Sequence, residues 1–436
     1  MMARRWYTLL IYVAAPIAFA GVLWRGVRDR SYWQGLGERF GGGRTSAAPS
    51  IWLHAVSLGE MTAAGPLVRA LRARYPEVPL VLTTATPTGR ARAASLFGDS
   101  VDIRFLPYDT PRAVARFLER TRPRLALILE TELWPNLFNE CARRGLPLVL
   151  ASARLSAKSV ARYRRFGSLF RGIFSASSLI AAQTALDAER FIAIGAKSAR
   201  THVVGNIKFD VELGAGVIAR GRELRAGLGG ARPVWVAGST HAGEEEQVLA
   251  AHAALLASQP HALLLLVPRH PDRFEAVADL LRRRGLRFTR WSSGGGLPDA
   301  TPVVLVDTVG ELAALYASAD VAFVGGSLVP IGGHNLLEPA ALGLPVLTGP
   351  SHFNGKDIAR LVLGQGAAVQ VADARELVAA LARWLADPAE RQRIGAIGRH
   401  LVESNRGSVA RLLALIEPLL PAAGSGPVGV RPSGGC

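Results

Sequence analysis

Cysteine is nearly missing from this chain. Cys141 and Cys436 are the only two in 436 residues, too few for a disulfide framework, and a reducing compartment fits. Lysine is scarce as well: Lys158, Lys197, Lys208 and Lys356 are the only lysines among 51 basic residues. Aromatic residues make up 7% and are not interleaved with the basic ones, which argues against a nucleic-acid groove. Several catalytic signatures are also lacking. No G-x-S-x-G elbow prepares a serine nucleophile, and no H-E-x-x-H, paired-cysteine or D-x-D cluster prepares a metal site.

What the chain has is apolar content, positive charge and glycine. Hydrophobic residues at 49% exclude disorder, and 436 residues are long for one core, so two domains are expected. The formal net charge of +17 is carried almost wholly by arginine, and it points to an anionic partner, either a phospholipid surface or a phosphorylated substrate. Trp6 to Trp24, WYTLLIYVAAPIAFAGVLW, is an uncharged run flanked by Arg4 and Arg5 before it and by Arg25, Arg28 and Arg30 after it. Its length suits an uncleaved bilayer anchor with interfacial tryptophans, expected over residues 1–30. Two other readings stay open: a signal peptide cut at Ala18-Phe19-Ala20, and a helix lying in the interface.

Beyond a polar spacer, short apolar runs alternate with helical patterns, which builds parallel sheets. One series comprises Ile51 to Val56, Leu80 to Thr84, Val101 to Leu106, Leu125 to Leu129, Leu148 to Ala151 and Leu179 to Ala182. A second comprises Val234 to Ala237, Leu263 to Val267, Val303 to Val306, Val321 to Val324 and Pro345 to Leu347. The expected organisation is an α/β pair of Rossmann-like domains, 31–212 and 213–420, joined by a linker from Leu213 to Arg232. The helices from Ala389 to Leu420 are expected to pack back on the first domain, and the tail 421–436 to be disordered.

The candidate chemical residues fall at strand ends, where such sheets bind ligands. The segment Gly325 to Pro350 carries glycines at 325, 326, 332 and 333 ahead of a helix beginning near Asn335, a place for backbone amides to hold a phosphate. No Gly-Lys-Ser/Thr follows these glycines and no G-x-G-x-x-G opens that helix, so neither a P-loop nor a dinucleotide site is indicated. Glu60, in the first turn of a helix after the first strand, is expected to be kept ionised by the helix dipole and able to take a proton from a hydroxyl. Ordinary helix stabilisation is its competing explanation. Glu130 ends an apolar strand, where a charge needs a partner. Glu132 reads as a helix N-terminal residue. Lys208 is either a cation for developing negative charge or a solvated lysine. Gly238-Ser-Thr-His241, the Pro268-Arg269-His270-Pro271 turn and the Asp307 to Leu312 turn complete the set, with Arg269 the natural partner for a phosphate.

Five motifs in order, His54-Ala-Val-Ser-Leu-Gly-Glu60, Glu130-Thr-Glu-Leu-Trp-Pro-Asn136, Gly238-Ser-Thr-His241, Pro268-Arg-His-Pro271 and Gly325-Gly-Ser-Leu-Val-Pro-Ile-Gly-Gly-His-Asn-Leu-Leu-Glu-Pro339, resemble the lipid A Kdo (3-deoxy-D-manno-octulosonic acid) transferases. The likeness runs from about Arg5 to Leu420 and departs at Leu58, where the family more often has valine. It implies a GT-B glycosyltransferase with a cleft between its domains. The reaction implied is inverting and metal-independent, without cofactor, from CMP-Kdo to a lipid A precursor (lipid IVA), on the cytoplasmic side of the inner membrane. Carried over by position, Glu60 is the implied general base, with Glu130 and Lys208 as further catalytic residues. Pro268, Arg269, Val309, Gly310, Glu311, Gly326, Ser327, Asn335, Leu336, Leu337 and Glu338 are the implied CMP-binding set, with Glu338 on the ribose and the amides near Gly326, Ser327 and Asn335 on the phosphate. Rival readings are a GT-B enzyme using UDP-sugars and an exported two-lobe solute-binding protein.

Overall fold

The computed structural model describes residues 2–174, 178–214, 216–229, 232–294 and 301–420; the tail 421–436 lies outside them. The chain divides into two compact units, Met1–Asp210 with Arg406–Cys436, and Val211–Asn405.

The first unit is built on seven parallel strands: β1 (Ser50–His54), β2 (Leu80–Thr84), β3 (Asp102–Phe105), β4 (Pro123–Leu129), β5 (Leu148–Ala153), β6 (Ser178–Ala182) and β7 (Thr201–Val203), in the order β3-β2-β1-β4-β5-β6-β7. The central strands read as unbroken apolar runs because both faces are covered. Side chains of β1 alternate: Ile51 and Leu53 pack with Leu67 and Leu71 of the helix Gly65–Arg74, and Trp52 packs on the other face with Phe117 and Phe138. The helix Ser408–Ile416 adds Leu412 and Ile416 to the first of these clusters. Asp210 caps that helix, accepting from the amides of Gly407 (2.6 Å) and Val409 (2.5 Å).

The second unit repeats the plan with β8 (Val234–Thr240), β9 (Leu263–Pro268), β10 (Phe288–Arg290), β11 (Val303–Leu305), β12 (Val321–Val324), β13 (Val346–Thr348) and β14 (Ala368–Gln370), in the order β10-β11-β9-β8-β12-β13-β14. Its sheet is likewise parallel and covered on both faces, Trp235, Leu264 and Phe323 packing on one side and Val236, Leu265 and Ala322 on the other.

Two expectations need correction. The interval Leu213 to Arg232 is not a plain linker, because Val217–Gly227 forms a helix within the second unit, with Gly221 lying close against Ala317. The returning segment is also shorter than expected. The helix Pro388–Asn405 stays in the second unit, where Gly395 fits tightly against the carbonyl of Gly343, and only the segment from Arg406 onward belongs to the first.

In each sheet the strand order reverses beside the strand that comes first in sequence, between β1 and β4 and between β8 and β12. Ligands of open parallel sheets bind at the carboxyl ends of strands at such switch points.

Candidate active site

At the first switch point, β1 leads through Val56 into the short helix Leu58–Ala63. Ser57 is its N-cap and accepts from the Glu60 amide at 3.3 Å. The Glu60 carboxylate turns back and accepts from the Val56 amide at 2.9 Å, so both ends of this exchange fix the side chain. Glu60 is not kept ionised by the helix dipole as expected. Partial burial, with the charges of Glu130 and then Glu132 adding to it, raises its pKa to about 7; the Val56 amide and Lys208 pull the other way. His54, which opens the same motif, is a core residue: Nδ1 meets the Thr83 carbonyl (3.1 Å) and hydroxyl (2.9 Å), and burial lowers its pKa to about 4.

Glu130 leaves the end of β4 with φ of 55°, a left-handed conformation that a non-glycine residue holds only against strain. Lys208 Nζ donates to its Oε1 at 2.7 Å, and Arg154 Nε lies 3.4 Å from Oε2. Lys208 is therefore not a solvated lysine but the partner that the buried end of β4 requires. Ser152 of β5, also left-handed at φ 50°, brings its hydroxyl to the Ile207 amide at 3.4 Å and so ties β5 to the turn that carries Lys208. Glu60, Glu130, Ser152 and Lys208 line one shallow recess open to solvent.

The second switch point is chemically different. His241 follows β8, His270 follows β9, and His334 sits in the glycine loop after β12. The rings of His241 and His334 stack with centroids 5.1 Å apart and Nε2 atoms 2.8 Å apart, and His270 meets His241 edge-on at 5.5 Å. Burial, then the neighbouring His241, Arg269 and His270, push the pKa of His334 down to about 3; burial followed by His270, Arg269 and Arg273 lowers that of His241. At neutral pH the pair is uncharged and shares one N–H between the two Nε2 atoms. The Arg269 amide donates to the Thr240 carbonyl at 3.0 Å, and its guanidinium acts on both His241 and His334.

The glycine amides are not the phosphate cradle they were expected to be. Gly325 donates to the Gly238 carbonyl (2.8 Å), Gly332 to the Ser351 hydroxyl (3.1 Å) and Gly333 to the Gly326 carbonyl (2.8 Å). Gly326 donates to Glu244 at 2.7 Å, and Ser327 and Leu328 donate to the other oxygen of Glu244 at 3.0 and 2.9 Å. A fully buried carboxylate thus occupies the concavity and fixes the loop from within. Gly325 has to be glycine because a Cβ there would lie 2.6 Å from the Ser239 carbonyl oxygen. Asn335 lies just before the next helix, Leu337–Ala341, whose N-cap is Leu336; it accepts from the Leu337 amide at 3.1 Å and donates to Glu338 at 3.1 Å. With five residues, that helix has little dipole to offer an anion.

Among the other candidates, Pro268 ends β9 and is followed by Arg269, while Val309, Gly310 and Glu311 form the turn after the neighbouring strand β11. Val309 is 78% exposed, and the Thr308 hydroxyl donates to Glu311. Leu336 and Leu337 are buried, so any contact from them to a ligand runs through the backbone. Glu244, His334 and Arg154 were not singled out from the sequence. Glu244 stands in the acidic run Glu244-Glu-Glu246, which reads as a helix start, and nothing local signals an acceptor for amides 82 to 84 residues away.

Two parallel α/β units with ligand-ready switch points are the frame of a GT-B glycosyltransferase. Residues 287–401 match the family model for glycosyl transferases group 1. The UDP-GlcNAc 2-epimerase of Neisseria meningitidis shares the fold at 12% identity, covering 85% of this chain and 100% of its own, with a TM-score of 0.53.

Residues 34–211 match the family model for 3-deoxy-D-manno-octulosonic-acid transferase (kdotransferase). The 3-deoxy-D-manno-octulosonic acid transferase of Haemophilus influenzae is 42% identical over 96% of this chain and 99% of its own length, and that of Bordetella pertussis 40% over 96% and 100%. The chain belongs to the 3-deoxy-D-manno-octulosonic acid transferase family, and it is a glycosyltransferase that moves Kdo.

Proposed function

We propose that the chain transfers Kdo from CMP-Kdo to a glucosamine hydroxyl of a phosphorylated lipid A precursor, with inversion and with Glu60 as general base. The observation that carries this reading is Glu60 itself, a half-buried carboxylate in a recess, oriented by Ser57 and Val56 and titrating at about 7. A base of that strength is matched to proton transfer at neutral pH.

In the proposed step, Glu60 takes the proton of the acceptor hydroxyl as its oxygen bonds to the anomeric carbon of Kdo. The bond from that carbon to the CMP phosphate oxygen breaks, and CMP leaves with the electron pair. Glu130 and Lys208 tune the base in opposite directions, the carboxylate raising and the ammonium lowering its pKa. In the second unit Arg269 offsets the phosphate charge, Glu338 and Asn335 serve the ribose, and the Val309 to Glu311 turn and Pro268 border the base. Gly326 and Ser327 shape the loop and leave the phosphate to side chains. The apolar N-terminal helix, the one described helix long and apolar enough to cross a membrane, with mean hydropathy 1.8, keeps the enzyme at the inner membrane beside its lipid acceptor.

The test is to incubate purified protein with CMP-Kdo and a tetra-acylated lipid A precursor and to weigh the lipids. A mass gain of one or more Kdo units is expected, with none from Glu60→Gln; an unmodified lipid contradicts the acceptor, and full activity of Glu60→Gln contradicts the base. Thermal shift with CMP against UDP separates the donor proposed here from a UDP-sugar: CMP should stabilise the protein and UDP should not.

A further inference from the structure

The N-terminal helix Met2–Arg28 is apolar enough to cross a bilayer, yet it is not a free rod. Its less exposed residues, Tyr7, Ile11, Ala15, Phe19, Val22 and Gly26, recur every three or four positions and so fall on one face along nearly the whole helix. The nineteen steps from Tyr7 to Gly26 rise about 28 Å at 1.5 Å each.

That face is fastened to the body of the first unit at both ends. Near the start, the Tyr7 hydroxyl donates to the buried carboxylate of Asp109 at 2.9 Å, and the Thr8 hydroxyl donates to Asn136 at 2.9 Å. Asp109 also accepts from the amides of Asn136 (2.9 Å) and Leu137 (2.8 Å), so the contact is made to a rigid strand-end turn and not to a loose side chain. Toward the other end, Phe19 packs edge-on against Phe40 at 4.9 Å, and the Trp33 indole donates to the Leu23 carbonyl at 3.1 Å and fills the space left by Gly26.

A helix crossing the bilayer separates its two ends by the full hydrocarbon thickness of about 30 Å. Here both ends rest on one α/β unit whose contact surface includes a buried carboxylate and an asparagine. Crossing would carry that polar surface through the hydrocarbon, where unpaired polar groups are costly. Among the described residues nothing covers the opposite face: Trp6, Leu10, Val13, Ile17 and Trp24 are between 59% and 70% exposed, and no polar residue interrupts them. Arg4 and Arg5 precede the apolar run and Arg25 and Arg28 end it, so positive charge marks both ends alike, as expected when both lie on the same side of a membrane. A further basic helix, Ala157–Arg165, with Arg162, Arg164 and Arg165 in its last turn, runs into the helix Gly167–Phe174, which touches the apolar helix.

We propose that this helix lies flat in the headgroup region of an anionic membrane, strapped along the first unit, with its exposed apolar face embedded and both ends on the same side. This rests on the membrane placement proposed above. It also sets the orientation of the first unit, because the surface bearing Asp109 and Asn136 must then face the bilayer. Asn136 closes the motif that starts at Glu130 of the recess, so the strap and the recess share one strand-end segment.

The test uses the full chain with Cys436→Ser and nitroxide labels placed one at a time at W6C, V13C, W24C and I11C. The protein is bound to vesicles of phosphatidylethanolamine with phosphatidylglycerol, and label depth is measured by power saturation. The flat helix predicts similar depths at 6, 13 and 24, within about 5–10 Å of the headgroup boundary, and a label at 11 shielded from lipid oxygen. Residue 13 lying roughly 10–15 Å deeper than 6 and 24, with 11 open to lipid, describes a crossing helix and overturns the proposal. Failure to bind these vesicles removes the membrane placement as well, so the two failures are told apart. Activity with a lipid acceptor in detergent is not at issue in either result.

Discussion

The two α/β units share a plan and differ in what they put at its reversal point. In the first, β1 and β4 end in carboxylates balanced by one lysine and one arginine, and the chemical product is a base at about pH 7. In the second, β8 and β12 lead into a stacked histidine pair, β9 leads into Arg269, and the amides of the glycine loop are bound by a buried glutamate. The topology fixes where chemistry happens, and side chains within a few residues of the strand ends fix which chemistry it is. The difference also concerns what buried charge does. Glu130 and Lys208 act on a neighbouring carboxylate, whereas Glu244 gives its acceptors to amides of its own unit.

Substitutions that break this division of labour should have effects of distinct kinds. The largest is expected from Glu60→Gln, which removes the base but not the fold: single-turnover transfer should fall about 10³- to 10⁴-fold while CMP affinity by calorimetry stays within twofold. Next comes Arg269→Ala in the second unit, expected to weaken CMP binding by about 10- to 100-fold, the equivalent of roughly 1.5–3 kcal/mol for a hydrogen bond to a charged group. Its pH–rate profile should keep the wild-type shape, since Arg269 does not act on Glu60.

Within the first unit, the partners of Glu60 should move the pH profile in opposite directions. Lys208 lowers the pKa of Glu60, so Lys208→Met should shift the acidic limb to higher pH and reduce the rate at pH 7, with recovery at higher pH. Glu130 raises it, so Glu130→Gln should move that limb to lower pH. Equal shifts in one direction would contradict the assignment. The smallest effects are structural. Glu244→Gln puts an amide donor against backbone amides and should cost about 1–3 kcal/mol of stability, and Ser57→Ala, the loss of an N-cap, about 1 kcal/mol, both read by denaturant melts.

Much of the frame was legible because its central strands are buried on both faces and write themselves as apolar runs, such as Leu263–Pro268. The edge strands Thr201–Val203, Phe288–Arg290 and Ala368–Gln370 were not, since three residues at a partly exposed edge carry no such pattern. Val217–Gly227 hid its helix among glycine and charge. In the sites, the positions of Glu60, Glu130 and Arg269 followed from strand ends, but their protonation did not. The dipole argument for Glu60 failed because burial and a second carboxylate, Glu130, which stands 70 positions away, outweigh one short helix. The glycine loop misled in the same manner: its amides looked free until Glu244 was placed beneath them.

The central claim is that Glu60 is a base poised near neutrality, and the pH dependence of kcat/KM tests it most directly. Deprotonated Glu60 is the active form, so the rate should rise with unit slope as pH climbs through about 7 and then level off, with the inflection moving down in Glu130→Gln and up in Lys208→Met. A profile that is flat from pH 5.5 to 8, a range of about 1.5 units below and 1 above that pKa, or an inflection that neither variant moves, contradicts it.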